Sequence, residues 1–197
     1  MVTDLDGFLR DPLSRRRLFG MAGVTLAGGS ASLLAACGDD TKNPNVQTGP
    51  DESDDADVEI LNSALDLELM AVEAYKAGAG RLRGSTLQIA QGFLEQEQAH
   101  VDALAAAISD LGGTPNEPKS DYEFPRLRTQ RDVLRFAVDL ENTAIASYID
   151  LLPKLSQGDL RATAAGILTC EAEHISVLLG ALGEPQVPGA FVNGRAS

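Results

Sequence analysis

The chain has two histidines, and each stands three residues after a glutamate: Glu97 before His100 in "FLEQEQAH", Glu171 before His174 in "TCEAEH". With 12 glutamates among 197 residues, both histidines meeting this spacing by chance has a probability of about 0.4%. On a helix, positions i and i+3 share a face, about one turn apart, so each pair presents a carboxylate and an imidazole in one direction. Together those groups form a ligand pair for a divalent metal. A single Glu-x-x-His is ordinarily a solvated surface pair; two matched copies point to metal chemistry.

More donors emerge when the chain is compared with itself. "ALDLELMAVEAY" (64–75) aligns without gaps with "AVDLENTAIASY" (137–148), pairing Asp66 with Asp139, Glu68 with Glu141 and Tyr75 with Tyr148. Glu68 precedes His100 by 32 residues and Glu141 precedes His174 by 33. The sequence therefore reads as an internal duplication whose shared residues include Glu68, Glu97, His100, Glu141, Glu171 and His174. Four carboxylates gathered in a core would repel, and most would have to protonate at neutral pH. Two divalent cations would neutralise them. Imidazole and carboxylate suit iron or manganese, and the set lacks the thiolates that select zinc or copper(I).

Four blocks with helical apolar spacing must position these residues. The first runs from Asp57 and ends in "GAGRLRG"; the second follows Ser85, read as its N-cap, and stops at Gly112–Gly113. Thr129 and Asp132 form a capping pair for the third, which Pro153 ends or kinks. The fourth runs from about Gln157 to Leu182, and Pro185 and Pro188 forbid its continuation. The first and last connections are short, whereas 112–128 is long and carries three prolines. The expected fold is all-α, an antiparallel four-helix bundle with one long crossover between helices 2 and 3, spanning 57–183 and followed by a tail, 184–197.

The N-terminal residues read as an address. In 1–36, "SRRRLF" (with Arg15 and Arg16) resembles the twin-arginine export signal, and "LAAC" resembles a bacterial lipoprotein cleavage box ending at Cys37. The glycines within the apolar run make it a poor permanent membrane helix. Residues 37–56 are then a lipidated cysteine and an acidic, disordered tether. This places the mature protein outside the cytoplasm, held to the cell membrane by lipid. A net charge of −13 argues against nucleic acid as a partner, since phosphate binding needs clustered Lys and Arg.

One Glu from each of two helices, with Glu-x-x-His from each of the other two, resembles the ferritin-like superfamily of di-metal carboxylate bundles, of the rubrerythrin or bacterioferritin type. With the N-terminal features, the whole chain resembles an exported bacterial ferritin-like lipoprotein. The resemblance implies two bound iron ions (or manganese, or one of each). In it Glu97 and Glu171 bridge the metals, Glu68 and Glu141 are terminal carboxylates, and His100 and His174 cap one metal each. It implies oxidation of Fe(II) by O2 or peroxide, and it is compatible with a homodimer. Two alternatives stand beside it: a manganese catalase on the same fold, and a helical-bundle lipoprotein that binds metal without catalysis or binds none. The chain departs from rubrerythrins in having no four-cysteine iron site, and from storage ferritins in its lipid-anchor signal.

Other residues have plainer readings. Tyr75 and Tyr148 fall on the faces of Glu68 and Glu141, either hydrogen-bonding a ligand or passing an electron, or serving as core aromatics with a polar tip. Glu73, Glu95 and Glu173 point away from the ligand face and are expected in solvent. Cys170 is expected to be buried filler. Asp66 and Asp139 repeat in both halves without an evident role.

Overall fold

The computed structural model describes residues 52–195. Arg15, Arg16, Cys37 and most of the expected tether lie outside these residues. Four helices form: α1 (Glu52–Ala79), α2 (Gly84–Asp110), α3 (Gln130–Leu151) and α4 (Gly158–Leu182), with a 3-10 turn, Leu152–Lys154, between the last two. α1 packs along α2 and α3 along α4, α1 also meets α3, and α2 meets α4 over a shorter stretch. This is the expected all-α four-helix bundle, its two halves joined by the long segment between α2 and α3.

Two boundaries differ from expectation. α1 begins at Glu52, so the last five residues assigned to the tether are helical. Acidic side chains suit a helix N-terminus, and Asp54, with Asp57 just beyond the run, is tied to the α3–α4 connection. Asp57, 1% exposed, accepts hydrogen bonds from the Ser156 amide at 2.9 Å and the Ser156 hydroxyl at 2.6 Å. Asp54 accepts from Gln157 Nε2 at 3.0 Å. These contacts recruit an acidic stretch that composition alone reads as tether.

The start of α2 also moves. Arg83, not Ser85, occupies the N-cap position, with no side-chain cap of its own. Its amide instead donates to Gln130 Oε1 on α3 at 3.1 Å, so a tertiary partner replaces the local cap. At α3 the expected Thr129–Asp132 capping box forms with both of its bonds. α3 gives way at Leu151 to the 3-10 turn that contains Pro153.

The double glycine after α2 is required for two reasons. Gly112 adopts φ +79°, and a Cβ at Gly113 would come within 2.7 Å of Val58. The crossover beyond it is held against α1: Asn62 Nδ2 donates to the Thr114 carbonyl, and Asn116 donates to Asn62 and Asp66. Asp66 also lies 3.7 Å from Lys119 Nζ, which gives this repeated aspartate a structural role; its counterpart Asp139 is exposed.

The apolar core has two principal parts. One gathers Leu61, Leu65, Leu104, Ile108, Tyr148 and Leu160; the other gathers Tyr75, Leu82, Phe93, Val133 and Leu178. A buried polar layer sits between them. α4 is the one described helix apolar and long enough to cross a membrane, but it packs against α3 and carries Glu171 and His174 into that polar layer. The tail from Glu184 is not helical and returns along α3, with Glu184 accepting from Arg135 at 2.6 Å.

Replacing Asp57 with Ala removes the carboxylate that ties α1 to the entry of α4. Chemical denaturation is expected to show a loss of about 2 kcal/mol, the scale of hydrogen bonds to a charged group. An unchanged midpoint would mean that these bonds do not help hold α1 to α4.

Candidate metal centre

Each helix sends one or two ionisable residues inward. α1 supplies Glu68, α2 Glu97 and His100, α3 Glu141, and α4 Glu171 and His174. Glu68, Glu97, Glu141, Glu171 and His174 are 0–1% exposed; only His100 reaches further out, with 12% of its side chain accessible. The structure thus brings together all six residues expected from sequence. An i, i+3 pair on α2 and another on α4 point at the same spot because both helices turn that face to the bundle axis.

The donors fall into two overlapping groups. Glu68, Glu97, His100 and Glu171 form one; Glu97, Glu141, Glu171 and His174 form the other, with ligand atoms in each group within 4.8 Å of one another. Glu97 and Glu171 belong to both. His100 Nδ1 lies 3.0 Å from Glu171 Oε1, 3.4 Å from Glu68 Oε2 and 3.5 Å from Glu97 Oε2. His174 Nδ1 lies 2.9 Å from Glu171 Oε2, 3.2 Å from Glu97 Oε1 and 3.4 Å from Glu141 Oε1. Each shared carboxylate therefore turns one oxygen to each group.

Seven buried atoms here lack a hydrogen-bond partner: both oxygens of Glu97 and of Glu171, Glu141 Oε2, and Nδ1 of each histidine. Leaving one such atom unsatisfied costs about 1–3 kcal/mol. So many, converging within ligand distance of each other, fit divalent cations as the missing partners. Two cations would balance the four carboxylates and accept the imidazole lone pairs together.

Without a cation, protons would have to do this work. Burial pushes Glu68 and Glu141 up to about 8. Burial acts on Glu97 in the same direction, but the adjacent imidazoles outweigh it and bring Glu97 down to about 2; Glu171 is lowered for the same reason. His174, although burial opposes its charge, is pushed up to about 12 by Glu141, Glu171 and Glu97, and His100 is raised likewise.

The tyrosines touch the site, and they do so crosswise. Tyr148 donates to Glu68 Oε1 at 2.6 Å, and Tyr75 donates to Glu141 Oε1. Each phenol serves the carboxylate of the other half, a pairing that same-helix spacing did not show. Burial beside an acid raises both phenols, so they stay protonated as donors. Glu73 pairs with Lys76 at the surface, and Glu95 and Glu173 are exposed, as expected. Cys170 is only half-buried, a correction to its reading as buried filler: its Sγ lies 3.5 Å from His174 Nε2. Two further neighbours were not anticipated. Gln96 Oε1 lies 2.8 Å from His174 Nε2, and Phe93 stacks on the His174 ring at 3.9 Å. Their positions, one and four residues before Glu97, were the available signal.

Metal uptake must expel protons from Glu68, Glu141 and the imidazoles, because the ligands bind deprotonated. Apparent metal affinity is therefore expected to rise with pH between about 6 and 8, the range below the raised carboxyls. Calorimetry in buffers of different ionisation enthalpy would measure the released protons. An affinity independent of pH would contradict this protonation pattern.

Solved structures share the fold. A conserved hypothetical protein from Mycobacterium tuberculosis matches with TM-score 0.63 and 22% identity, over 71% of this chain and 99% of that one. A ferritin-like, diiron-carboxylate protein from Bacillus anthracis matches with TM-score 0.57 and 24% identity, over 67% of this chain and 99% of its own. A dodecameric thioferritin, the bacterioferritin-related protein of Bacteroides fragilis, matches with TM-score 0.57 and 26% identity, over 66% and 86%. No curated protein matches the sequence. The family model for the ferritin-like domain matches residues 56–184, from the first turns of α1 to the end of α4 and all six inward donors between them. The chain belongs to the ferritin-like domain family.

Proposed function

We propose that this protein holds two metal ions, iron before manganese, between Glu68, Glu97, His100, Glu141, Glu171 and His174. We further propose that it oxidises Fe(II) or reduces O2 or peroxide, outside the cytoplasm and anchored to the membrane through Cys37. The observation that carries the reading is the pair of overlapping donor groups sharing Glu97 and Glu171. The preference for iron rests on the donor types and on the diiron-carboxylate description of the Bacillus anthracis protein. The anchoring rests on "SRRRLF" and "LAAC".

A bound iron pair would supply the redox chemistry, two electrons in total, one from each ion. The chain's own residues set the conditions. Glu97 and Glu171 turn one oxygen to each donor group and would contribute to holding an ion in either. Glu68 and Glu141 complete the two positions, each steadied by a tyrosine hydroxyl from across the bundle. The apolar residues on both sides exclude water, which strengthens every charge interaction in the layer. His100, the most accessible donor, marks the side nearest solvent.

The full chain, purified from iron- and manganese-replete cells, is expected to carry about two metal ions. Glu97→Ala with Glu171→Ala should reduce that to near zero; unchanged metal content would remove the site. The loaded wild type should then consume Fe(II) with O2 or peroxide, and a manganese-loaded protein that only dismutates peroxide would favour the catalase alternative instead. Separately, a palmitate analogue fed to producing cells is expected to label wild type and not Cys37→Ala. Equal labelling would defeat the lipoprotein reading.

A further inference from the structure

The two halves of the duplication treat their histidines differently. His174 is braced at an edge and a face: Gln96 Oε1 lies 2.8 Å from its Nε2, and the Phe93 ring stacks 3.9 Å away at 28°. An amide oxygen only accepts, so the neutral imidazole keeps its proton on Nε2 and turns the Nδ1 lone pair toward Glu97, Glu141 and Glu171. Among the described residues, His100 has no hydrogen bond at Nε2, and its side chain is 12% exposed against 2% for His174.

The difference is written into the repeat. Aligning α2 on α4 through Glu97 and Glu171 matches Phe93 with Ile167 and Gln96 with Cys170. Isoleucine has no ring to stack on His100, and a thiol is a weak acceptor. Cys170 also turns toward its own helix's histidine, with Sγ 3.5 Å from His174 Nε2. Both supporting groups therefore serve one half.

We propose that the duplicated halves have diverged into two unequal metal positions, with Gln96 as the positioning residue that sets the difference. The position of Glu97, Glu141, Glu171 and His174 is preorganised; it fills first and holds its ion. The position of Glu68, Glu97, Glu171 and His100 fills second and exchanges with solvent. This rests on the di-metal reading of the site and adds an order of occupancy to it. An outer hydrogen bond that fixes a ligating histidine typically changes metal affinity 10–100-fold, enough to separate two otherwise matched positions.

The test is anaerobic titration of the metal-stripped full chain with Co(II), followed by visible absorption and calorimetry. Wild type is expected to bind in two steps whose Kd values differ by about tenfold or more. Gln96→Leu should weaken the tighter step about 10–100-fold, leaving the weaker step and the metal-free Tm unchanged. Gln96→Glu, which keeps an oxygen acceptor, should restore the tight step. Glu68→Gln should abolish the weaker step and Glu141→Gln the tighter one. Two equal steps in wild type, an unaltered Gln96→Leu titration, failure of Gln96→Glu to rescue, or the reverse assignment of Glu68 and Glu141 would each overturn the inference. Two-site binding would survive those results. No Co(II) binding at all would instead sink the di-metal reading beneath it.

Discussion

Four carboxylates and two imidazoles share one layer of a helical core, five of the six residues 0–1% exposed. Burying even one unpaired charge costs several kcal/mol, so this layer is stable only if its groups neutralise one another or bind cations. The rest of the structure answers to that requirement. Apolar residues on either side keep water out, and two tyrosines donate to one oxygen each of Glu68 and Glu141 from opposite halves. Seven atoms are left facing inward without partners. They are the atoms that divalent cations would use.

Duplication is the economical way to build such a layer. One helix pair brings a glutamate and a Glu-x-x-His; a second copy, packed against the first, brings the same set from the other side. Because Glu97 and Glu171 come from α2 and α4, each can reach both donor groups, while Glu68 and Glu141 stay with one. The tyrosines cross between copies, so neither half completes its site alone. A duplicated site begins symmetric, and differences beside the ligands, such as Gln96 opposite Cys170 in the alignment, distinguish the halves while leaving all six donors in place.

The bundle needs its halves held in register, since a donor displaced by one turn, about 5.4 Å, would miss the layer. Ties between elements distant in sequence do this. Asp57 holds the entry of α4, Gln130 caps the start of α2, and Asn62, Asp66 and Asn116 fasten the crossover to α1. Gly113 is needed because Val58 packs where its Cβ would be.

The sequence by itself determined the helical class, the four blocks, the long crossover and the six inward donors. It could do so because helical periodicity and an internal repeat are local patterns: a residue's face follows from its spacing, and a duplicated pair stands out against chance. The Thr129–Asp132 capping box was legible for the same reason. Only the tertiary structure decided what depends on partners remote in the chain. The acidic run at 52–56 becomes helix through ties to the α3–α4 connection, and α2 starts at Gly84 because a glutamine on α3 takes the Arg83 amide. Tyr75 meets Glu141 rather than the Glu68 of its own helix, and Gln96 and Phe93 meet His174 rather than His100. Spacing along a helix says which way a side chain points; which helix waits there is settled by packing.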